Sequence, residues 1–212
     1  MNCRKTTILL LLLSLLPLAA SAEEKRMLIL GDSLTKGYGL DPGAAYPALI
    51  QEKLDAGGLE KWRVLNAGVS GDTTAGGLRR APWLLKKPVD LLIIALGGND
   101  GLRGIDPAES EKNLQAIIDA ARAANPETEI VIAGMQMPDN MGKDYVSRFK
   151  TVFPAIAEKN ELPLIPFLLE GVAGDPNLNQ PDYIHPNEAG QKIIAETVWE
   201  AIEPLIVRSN RT

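Results

Sequence analysis

The chain has 212 residues, a formal net charge of −5 and 45% hydrophobic residues, which suits a globular domain with a sizeable core. Its acidic balance, without clusters of Lys and Arg, argues against nucleic acid as a partner. The single cysteine, Cys3, stands near the start, so no disulfide framework, thiol nucleophile or thiolate metal site is expected in the rest of the chain.

The N-terminus has the features of a secretory signal peptide. A basic start is followed by an apolar run over residues 8–18 and then by an Ala-Ser-Ala pattern that ends at Ala22. The apolar run is shorter than the ~20 residues that a bilayer-spanning helix needs. We therefore predict a signal peptide over residues 1–22, export to the periplasm or the medium, no stable membrane insertion after cleavage, and one domain over residues 23–212.

After this segment, short apolar runs alternate with helical patterns. The strands are predicted at residues 26–30, 63–66, 90–96, 129–133 and 162–167. The helices are predicted at residues 46–56, 74–85, 107–124, 144–160 and 187 to about 207, with Pro204 expected to end the last helix early. Such alternation favours right-handed crossovers. The predicted fold class is α/β: a three-layer α/β/α sandwich with a five-stranded parallel sheet in a flavodoxin-like order.

The first predicted strand leads into Gly31-Asp32-Ser33-Leu34. In open α/β sheets, ligands bind outside the carboxyl ends of the strands. Ser33 would therefore lie at the mouth of this strand, where a substrate can reach it. Gly-Asp-Ser is also an ordinary turn sequence, so this stretch gains meaning only together with others.

Two further stretches follow strand ends. One contains Gly71 and the other contains Gly97-Gly98-Asn99. The oxyanion of a tetrahedral intermediate needs N–H donors, and a glycine amide or an asparagine side chain is a suitable donor. Each stretch taken alone would be read as a βα turn.

His185 is the only histidine in the chain, and it comes three residues after Asp182 and just before the last predicted helix. At this spacing the carboxylate can accept from the imidazole Nδ1–H and fix its tautomer. Histidine is the usual general base at physiological pH. A lone histidine is more often structural, and Asp182 could instead cap the helix, so the pair alone does not decide the chemistry.

These blocks together resemble the SGNH (GDSL) hydrolase family over essentially the whole chain after the signal peptide. They are Gly-Asp-Ser-Leu at residues 31–34, Gly71, Asn99, and Asp182-x-x-His185, in that order. The Gly-Gly-Asn-Asp-Gly-Leu-Arg-Gly run around Asn99 and the Ser-Gly-Asp-Thr run around Gly71 are similar to one subgroup. Its members are periplasmic enzymes described as acyl-CoA thioesterase, arylesterase and lysophospholipase.

The resemblance implies a role for each of these residues. Ser33 would be the nucleophile, His185 the base and Asp182 the residue that orients it. The oxyanion hole would consist of the amides of Ser33 and Gly71 and the side chain of Asn99. The G-x-S-x-G elbow of α/β-hydrolases is absent from the chain, which supports this assignment.

The leading hypothesis is a serine esterase that hydrolyses aryl or alkyl esters, thioesters or lysophospholipids through an acyl-enzyme. A carbohydrate O-acetylesterase on the same fold is the alternative, and a non-catalytic binding module is a third. No metal or cofactor is predicted, because one histidine without cysteine does not make a typical zinc site. The spacing of Gly31, Gly37 and Gly39 also differs from a dinucleotide-binding fingerprint. The natural substrate and the oligomeric state stay open.

A methionine-rich segment over residues 134–143 follows the fourth predicted strand and contains Met135, Met137 and Met141. These side chains could fill the edge of the core, or they could form an adaptable apolar wall beside Ser33 for an acyl chain. We predict Met137 and Met141 as substrate-binding residues.

Overall fold

A computed structural model describes residues 24–209, in which five parallel strands form one sheet in the order β2-β1-β3-β4-β5. The strands are β1 (Lys25–Gly31), β2 (Trp62–Gly68), β3 (Leu91–Ala95), β4 (Glu129–Ala133) and β5 (Leu164–Ile165). The helices are α1 (Ser33–Lys36), α2 (Tyr46–Ala56), α3 (Thr74–Leu84), α4 (Gly98–Leu102), α5 (Pro107–Ala124), α6 (Lys143–Asn160) and α7 (Glu188–Ser209). This strand order is that of flavodoxin, which confirms the predicted fold class.

The predicted signal peptide, residues 1–22, lies outside the described residues. Across residues 24–209, no helix combines the length and the apolar character that crossing a membrane requires.

The helices form two groups. Helix α5 packs against both α3 and α6, and α2 packs against α7. In α5, four apolar residues at the i, i+3, i+4, i+7 spacing of one helix face are fully buried: Leu114, Ile117, Ile118 and Ala121. Strand β3 is apolar and buried throughout, and β1 and β4 are so after the charged residues at their starts, as expected for parallel strands that are covered on both faces.

The ends of β1, β2 and β3 lie at the same edge of the sheet, and the loops that follow them hold candidate site residues. Gly31 at the end of β1 pairs with Gly68 of β2 on one side and with Ala95 of β3 on the other. The loops after these three strands therefore leave the sheet at the same level and on the same edge. This register brings together the stretches that hold Ser33, Gly71 and Asn99.

Strand β5 is shorter than the predicted range of residues 162–167, since only Leu164 and Ile165 are paired. Pro163 and Pro166 flank this pair, and neither has an N–H to donate to a neighbouring strand. The chain therefore leaves the sheet after two residues.

The expectation that Pro204 ends the last helix early is wrong, because α7 continues to Ser209. Pro82 in α3 and Pro154 in α6 also lie inside helices, and all three prolines are exposed to solvent. On the exposed face, the carbonyl that loses its helical N–H partner can be hydrated by water, so the helix continues past the ring.

Candidate active site

Ser33 is the first residue of the one-turn helix α1, directly after β1. The Asp32 side chain caps this helix by accepting from the Leu34 N–H at 2.9 Å, and Gly37 ends it in the left-handed region at φ 73°. A Cβ on Gly31 would lie 1.9 Å from Thr35 Oγ1, so only glycine fits before this turn. The tight turn holds the Ser33 hydroxyl at the end of the sheet, with 9% of the residue exposed.

A chain of two hydrogen bonds connects Ser33 to His185 and Asp182. His185 Nε2 lies 3.0 Å from Ser33 Oγ, and His185 Nδ1 lies 2.7 Å from Asp182 Oδ2. With the proton on Nδ1, Nε2 is free to accept the serine proton. This arrangement can activate a hydroxyl for attack on a carbonyl carbon.

The carboxylate of Asp182 also closes the turn that carries His185. Its Oδ1 accepts from the N–H of Ile184 at 3.0 Å and from the N–H of His185 at 2.9 Å. Together with the bond from the imidazole, these donors lower the pKa of Asp182 to about 2. The carboxylate therefore stays ionised at every pH at which such an enzyme would work, and it can stabilise an imidazolium.

The loop before α7 is held at several points. The Gln180 N–H donates to the His185 carbonyl at 2.7 Å, and the Gln180 side chain donates to the Tyr38 carbonyl at 2.6 Å. Tyr183 occupies the left-handed region at φ 58°, where a non-glycine residue is uncommon. Asn187, rather than Asp182, caps α7 through the N–H groups at its start. Asp182 is thus left to contact the imidazole.

Tyr38 is a neighbour of His185 that the sequence pattern did not indicate. The two rings are 4.6 Å apart between centroids and tilted by 43°. The tyrosine ring covers one side of the imidazole and limits its rotation. No local pattern marks this contact, because it depends on the loop after α1 meeting the loop before α7.

Gly71 lies in a turn after β2. The Asp72 N–H closes this turn onto the Val69 carbonyl at 3.0 Å, and Gly71 has a φ of 75° that favours glycine. The Gly71 N–H is not used to close the turn. The Gly71 carbonyl accepts from the Arg103 guanidinium at 2.8 Å, which holds the peptide between Gly71 and Asp72.

Asn99 lies in α4 and donates through Nδ2 to Asp32 Oδ2 at 3.2 Å. Asp32 is only 2% exposed, and this burial raises its pKa to about 6 against the hydrogen bonds from Leu34 and Asn99, which lower it. Asp32 is thus a second carboxylate at the site that sequence reasoning assigned no role. Its position inside the Gly-Asp-Ser block was the one available signal.

The buried carboxylate of Asp100 joins the loops that carry Gly71 and Asn99. It accepts from the Thr74 N–H at 2.9 Å, from the Thr74 hydroxyl, and from the Ser110 hydroxyl at 3.2 Å. Since Thr74 starts α3 and Asp100 lies in α4, these bonds fix the two loops relative to each other.

A cleft of about 610 Å³ opens beside Ser33, Asn99 and His185. Most of its wall is apolar, with contributions from Leu34, Leu102, Met135, Met137, Phe167 and Leu169. Met137 lines the cleft as predicted, but Met141 does not. Pro138 is the last residue of this segment that lines the cleft, and Met141 lies in the 3₁₀ turn over Asp139–Met141 that follows it. Gly71 and Asp182 are not among the residues that line the cleft.

Comparisons with known proteins show what this chain is similar to. Residues 29–193 match the profile of the GDSL-like Lipase/Acylhydrolase family. Esterase TesA of Pseudomonas aeruginosa is 42% identical over 196 residues, which cover 92% of this chain and 96% of TesA. Thioesterase 1/protease 1/lysophospholipase L1 of Escherichia coli (strain K12) is 40% identical over 197 residues, with 92% and 91% covered.

A solved structure is also similar to this chain. The psychrotrophic esterase EstA from Pseudoalteromonas sp., inhibited by monoethylphosphonate, has a TM-score of 0.80 and 33% identity, over 86% of this chain and 99% of EstA.

Proposed function

The chain belongs to the GDSL-like lipase/acylhydrolase family, and on that premise we propose that Ser33, His185 and Asp182 are the catalytic triad with which it hydrolyses carboxylic esters. The observation that carries the proposal is the pair of hydrogen bonds, 3.0 Å and 2.7 Å long, from Ser33 Oγ through the imidazole to Asp182. Serine ester hydrolysis is the established chemistry of the family, and the residue roles are our assignment.

In the first half of the reaction, Ser33 Oγ attacks the ester carbonyl carbon while His185 Nε2 takes the hydroxyl proton. The carbonyl oxygen becomes an oxyanion. The tetrahedral intermediate then collapses, and the alcohol or thiol leaves with the proton from His185. In the second half, water attacks the acyl-Ser33 ester, His185 accepts its proton, and Ser33 regains a proton when the carboxylic acid leaves. Asp182 stays ionised throughout.

The oxyanion would be held by the N–H groups of Ser33 and Gly71 and by Nδ2 of Asn99. The left-handed turn at Gly71 and the position of Asn99 in the cleft beside Ser33 support this assignment. Such donors act mainly on the transition state, where the charge on oxygen is largest.

The acyl group would lie in the apolar cleft, where Met137 provides a flexible wall. We propose aryl and alkyl esters, thioesters or lysophospholipids as the substrate class, because each presents an acyl chain to an apolar wall and a carbonyl to Ser33. The names of the two relatives from Pseudomonas aeruginosa and Escherichia coli agree with this class. We further propose that residues 23–212 act as one hydrolase domain in the periplasm or the medium, after removal of residues 1–22.

A serine-directed phosphonate tests the proposal. We expect it to modify Ser33 in stoichiometric amount and to abolish hydrolysis of a p-nitrophenyl ester, with mass spectrometry locating the adduct. Ser33→Ala should neither react nor turn over. A matched control is Ser70→Ala, which changes a serine in the neighbouring loop after β2. An adduct on another residue, or substantial turnover by Ser33→Ala, would contradict the assignment.

A further inference from the structure

We propose that Asp32, in its ionised form, is the positioning residue that keeps the nitrogen of the Asn99 amide, and not its oxygen, turned toward the oxyanion. This inference rests on the proposed function, because it concerns the oxyanion hole of the same site. It assigns a role to the second residue of the Gly-Asp-Ser block, which takes no part in the triad.

Both oxygens of the Asp32 carboxylate have partners on different elements. Oδ1 accepts from the Leu34 N–H in α1 at 2.9 Å, and Oδ2 accepts from Nδ2 of Asn99 in α4 at 3.2 Å. The carboxylate also lies against the start of α4, since a Cβ on Gly98 would be in ordinary van der Waals contact with Asp32 Oδ2 at 3.4 Å. One carboxylate therefore connects the turn that carries the nucleophile to the helix that carries the proposed oxyanion donor.

The chemistry of the two groups decides which end of the amide faces Asp32. A carboxylate only accepts hydrogen bonds, so the amide oxygen of Asn99 would be repelled in that position and the NH₂ group is favoured. One N–H then donates to Asp32, and the second N–H of the same nitrogen remains for the oxyanion. The hydrogen bond is charge-assisted, and it is partly buried with its acceptor almost fully removed from water, both of which strengthen it.

Protonation of Asp32 removes this preference. A neutral carboxyl carries an O–H donor, which can bond to the amide oxygen of Asn99 after the amide has turned over. The lone pair of that oxygen would then occupy the place of the donor and repel the oxyanion. Asn99 therefore presents an N–H to the oxyanion when Asp32 is ionised and presents its amide oxygen when Asp32 is neutral.

Burial and the groups around Asp32 place its protonation within an accessible pH range. Burial raises the pKa of Asp32 to about 6, the hydrogen bonds from Leu34 and Asn99 and the nearby His185 lower it, and the negative charge of Asp72 raises it. Arg80 binds Asp72 and donates to the Gly31 carbonyl next to Asp32. Burial raises the pKa of the Tyr46 phenol, which remains neutral over this range.

A double-mutant comparison tests whether Asp32 acts through Asn99. Asp32→Asn keeps an acceptor for the Leu34 N–H but places an amide donor next to Asn99, as protonation would. We expect kcat on a p-nitrophenyl ester to fall about 10²-fold with KM within about twofold, close to the loss expected for Asn99→Ala. In the Asn99→Ala background, Asp32→Asn should lower kcat by less than about threefold more.

Two results would overturn the proposal: an unchanged kcat in Asp32→Asn, or losses that multiply in the double variant. A multiplicative loss would mean that Asp32 acts on the triad or on the fold, independently of Asn99. Ser33→Ala is measured alongside. Turnover by Ser33→Ala would refute the proposed function, whereas the double-mutant comparison addresses Asp32 alone.

The pH dependence gives a second test that needs only Asn99→Ala. In the unmodified enzyme, protonation of Asp32 should add a second step to the fall of kcat/KM that the triad itself produces on the acid side, so the fall should be steep. In Asn99→Ala the Asp32 step no longer matters, so the fall should have the slope of a single protonation. Equal slopes in the two proteins would overturn the proposal even where Asp32→Asn fails to fold.

Discussion

His185 Nε2 lies 3.0 Å from Ser33 Oγ, although the two residues are 152 positions apart in the chain. The segments that carry Ser33 and His185 are both anchored by hydrogen bonds. Ser33 is held by the helical turn that follows β1, and the His185 loop is tied to the same region by the bond from Gln180 to the Tyr38 carbonyl. The proposed nucleophile and base thus lie within hydrogen-bond distance in this structure, which is the preorganisation that covalent catalysis needs.

The first prediction concerns the orientation of the imidazole. Asp182→Asn can still accept from the Ile184 and His185 N–H groups, but its amide nitrogen would face His185 Nδ1 and favour the wrong tautomer. We expect kcat to fall by about 10⁴-fold while the melting temperature changes little. His185→Gln, which removes the base itself, should lower kcat by at least as much.

Steady-state kinetics on a p-nitrophenyl ester and thermal melts would measure these effects. Asp175→Asn is the matched control, since it makes the same change in the preceding loop, where the carboxylate accepts from the N–H and the side chain of Asn177. Near-normal turnover in Asp182→Asn would mean that another group orients His185.

The second prediction concerns Asn99. Loss of one side-chain donor from an oxyanion hole costs about 10²–10³-fold in kcat, or roughly 3–4 kcal/mol of transition-state stabilisation. Asn99→Ala should therefore lower kcat strongly and leave KM nearly unchanged, because the bond matters mainly in the transition state. Asn140→Ala, on the exposed 3₁₀ turn, serves as control. An effect on KM alone would instead assign Asn99 to ground-state binding.

The sequence predicts the sheet well because apolar runs and the glycines after them are local signals. All five strands and the five longer helices occur near their predicted ranges. The two differences from the predicted ranges, in α7 and in β5, both involve prolines. Pro204 does not end α7 because its ring faces solvent, and β5 is cut short because Pro163 and Pro166 cannot donate.

The interactions that the sequence did not indicate are long-range. The bond between Asp32 and Asn99 joins residues 67 positions apart, and the contact of Tyr38 with His185 joins two loops. Nothing in the residue types alone states that Asp32 is buried or that its second oxygen meets an amide. A family pattern identifies residues that react, but it does not identify those that hold them.

The third prediction follows from the cost of burying Asp32. Its pKa is about 6 in the folded protein against an ordinary value of 3.8, so the folded state binds more protons than the unfolded state between these values. Stability therefore falls as pH rises through this window. Asp32→Asn removes the buried charge and should raise the free energy of unfolding at pH 8, by up to roughly 3 kcal/mol, and the gain should vanish near pH 4.

Urea unfolding at the two pH values measures this difference. Asp139→Asn provides the control, because it removes a charge of the same kind from an exposed position. A variant that is more stable at pH 8 and yet turns over more slowly would fit a residue kept for positioning. Equal destabilisation at both pH values would show that the lost hydrogen bonds outweigh the relief of the buried charge.

The fourth prediction concerns export. The full chain, expressed in a Gram-negative host, should be processed after Ala22, so that the mature protein begins at Glu23. N-terminal sequencing of the periplasmic fraction measures this directly. Ala22→Arg should block the cleavage and leave the longer form. Recovery of Met1 or Asn2 at the N-terminus of the active protein would contradict the assignment.

The last prediction concerns acyl-chain selection in the cleft. Each methylene that enters the apolar cleft should contribute ~0.8 kcal/mol, or about fourfold in kcat/KM, until the cleft ends. Activity on p-nitrophenyl esters should therefore rise from acetate through medium chains and then level off or fall. Met137 lines the cleft and packs over Gly101, where a Cβ would lie 2.1 Å from its sulfur.

Met137→Ala should flatten the rise with chain length while leaving acetate hydrolysis nearly intact, because acetate does not reach this wall. Met141→Ala is the matched control: it makes the same change four residues along the chain but outside the cleft, so it should keep the slope of the unmodified enzyme. If acetate is already the best substrate and neither variant alters the slope, the cleft does not select acyl chains. That outcome would favour a carbohydrate O-acetylesterase, which release of acetate from an acetylated polysaccharide would test directly.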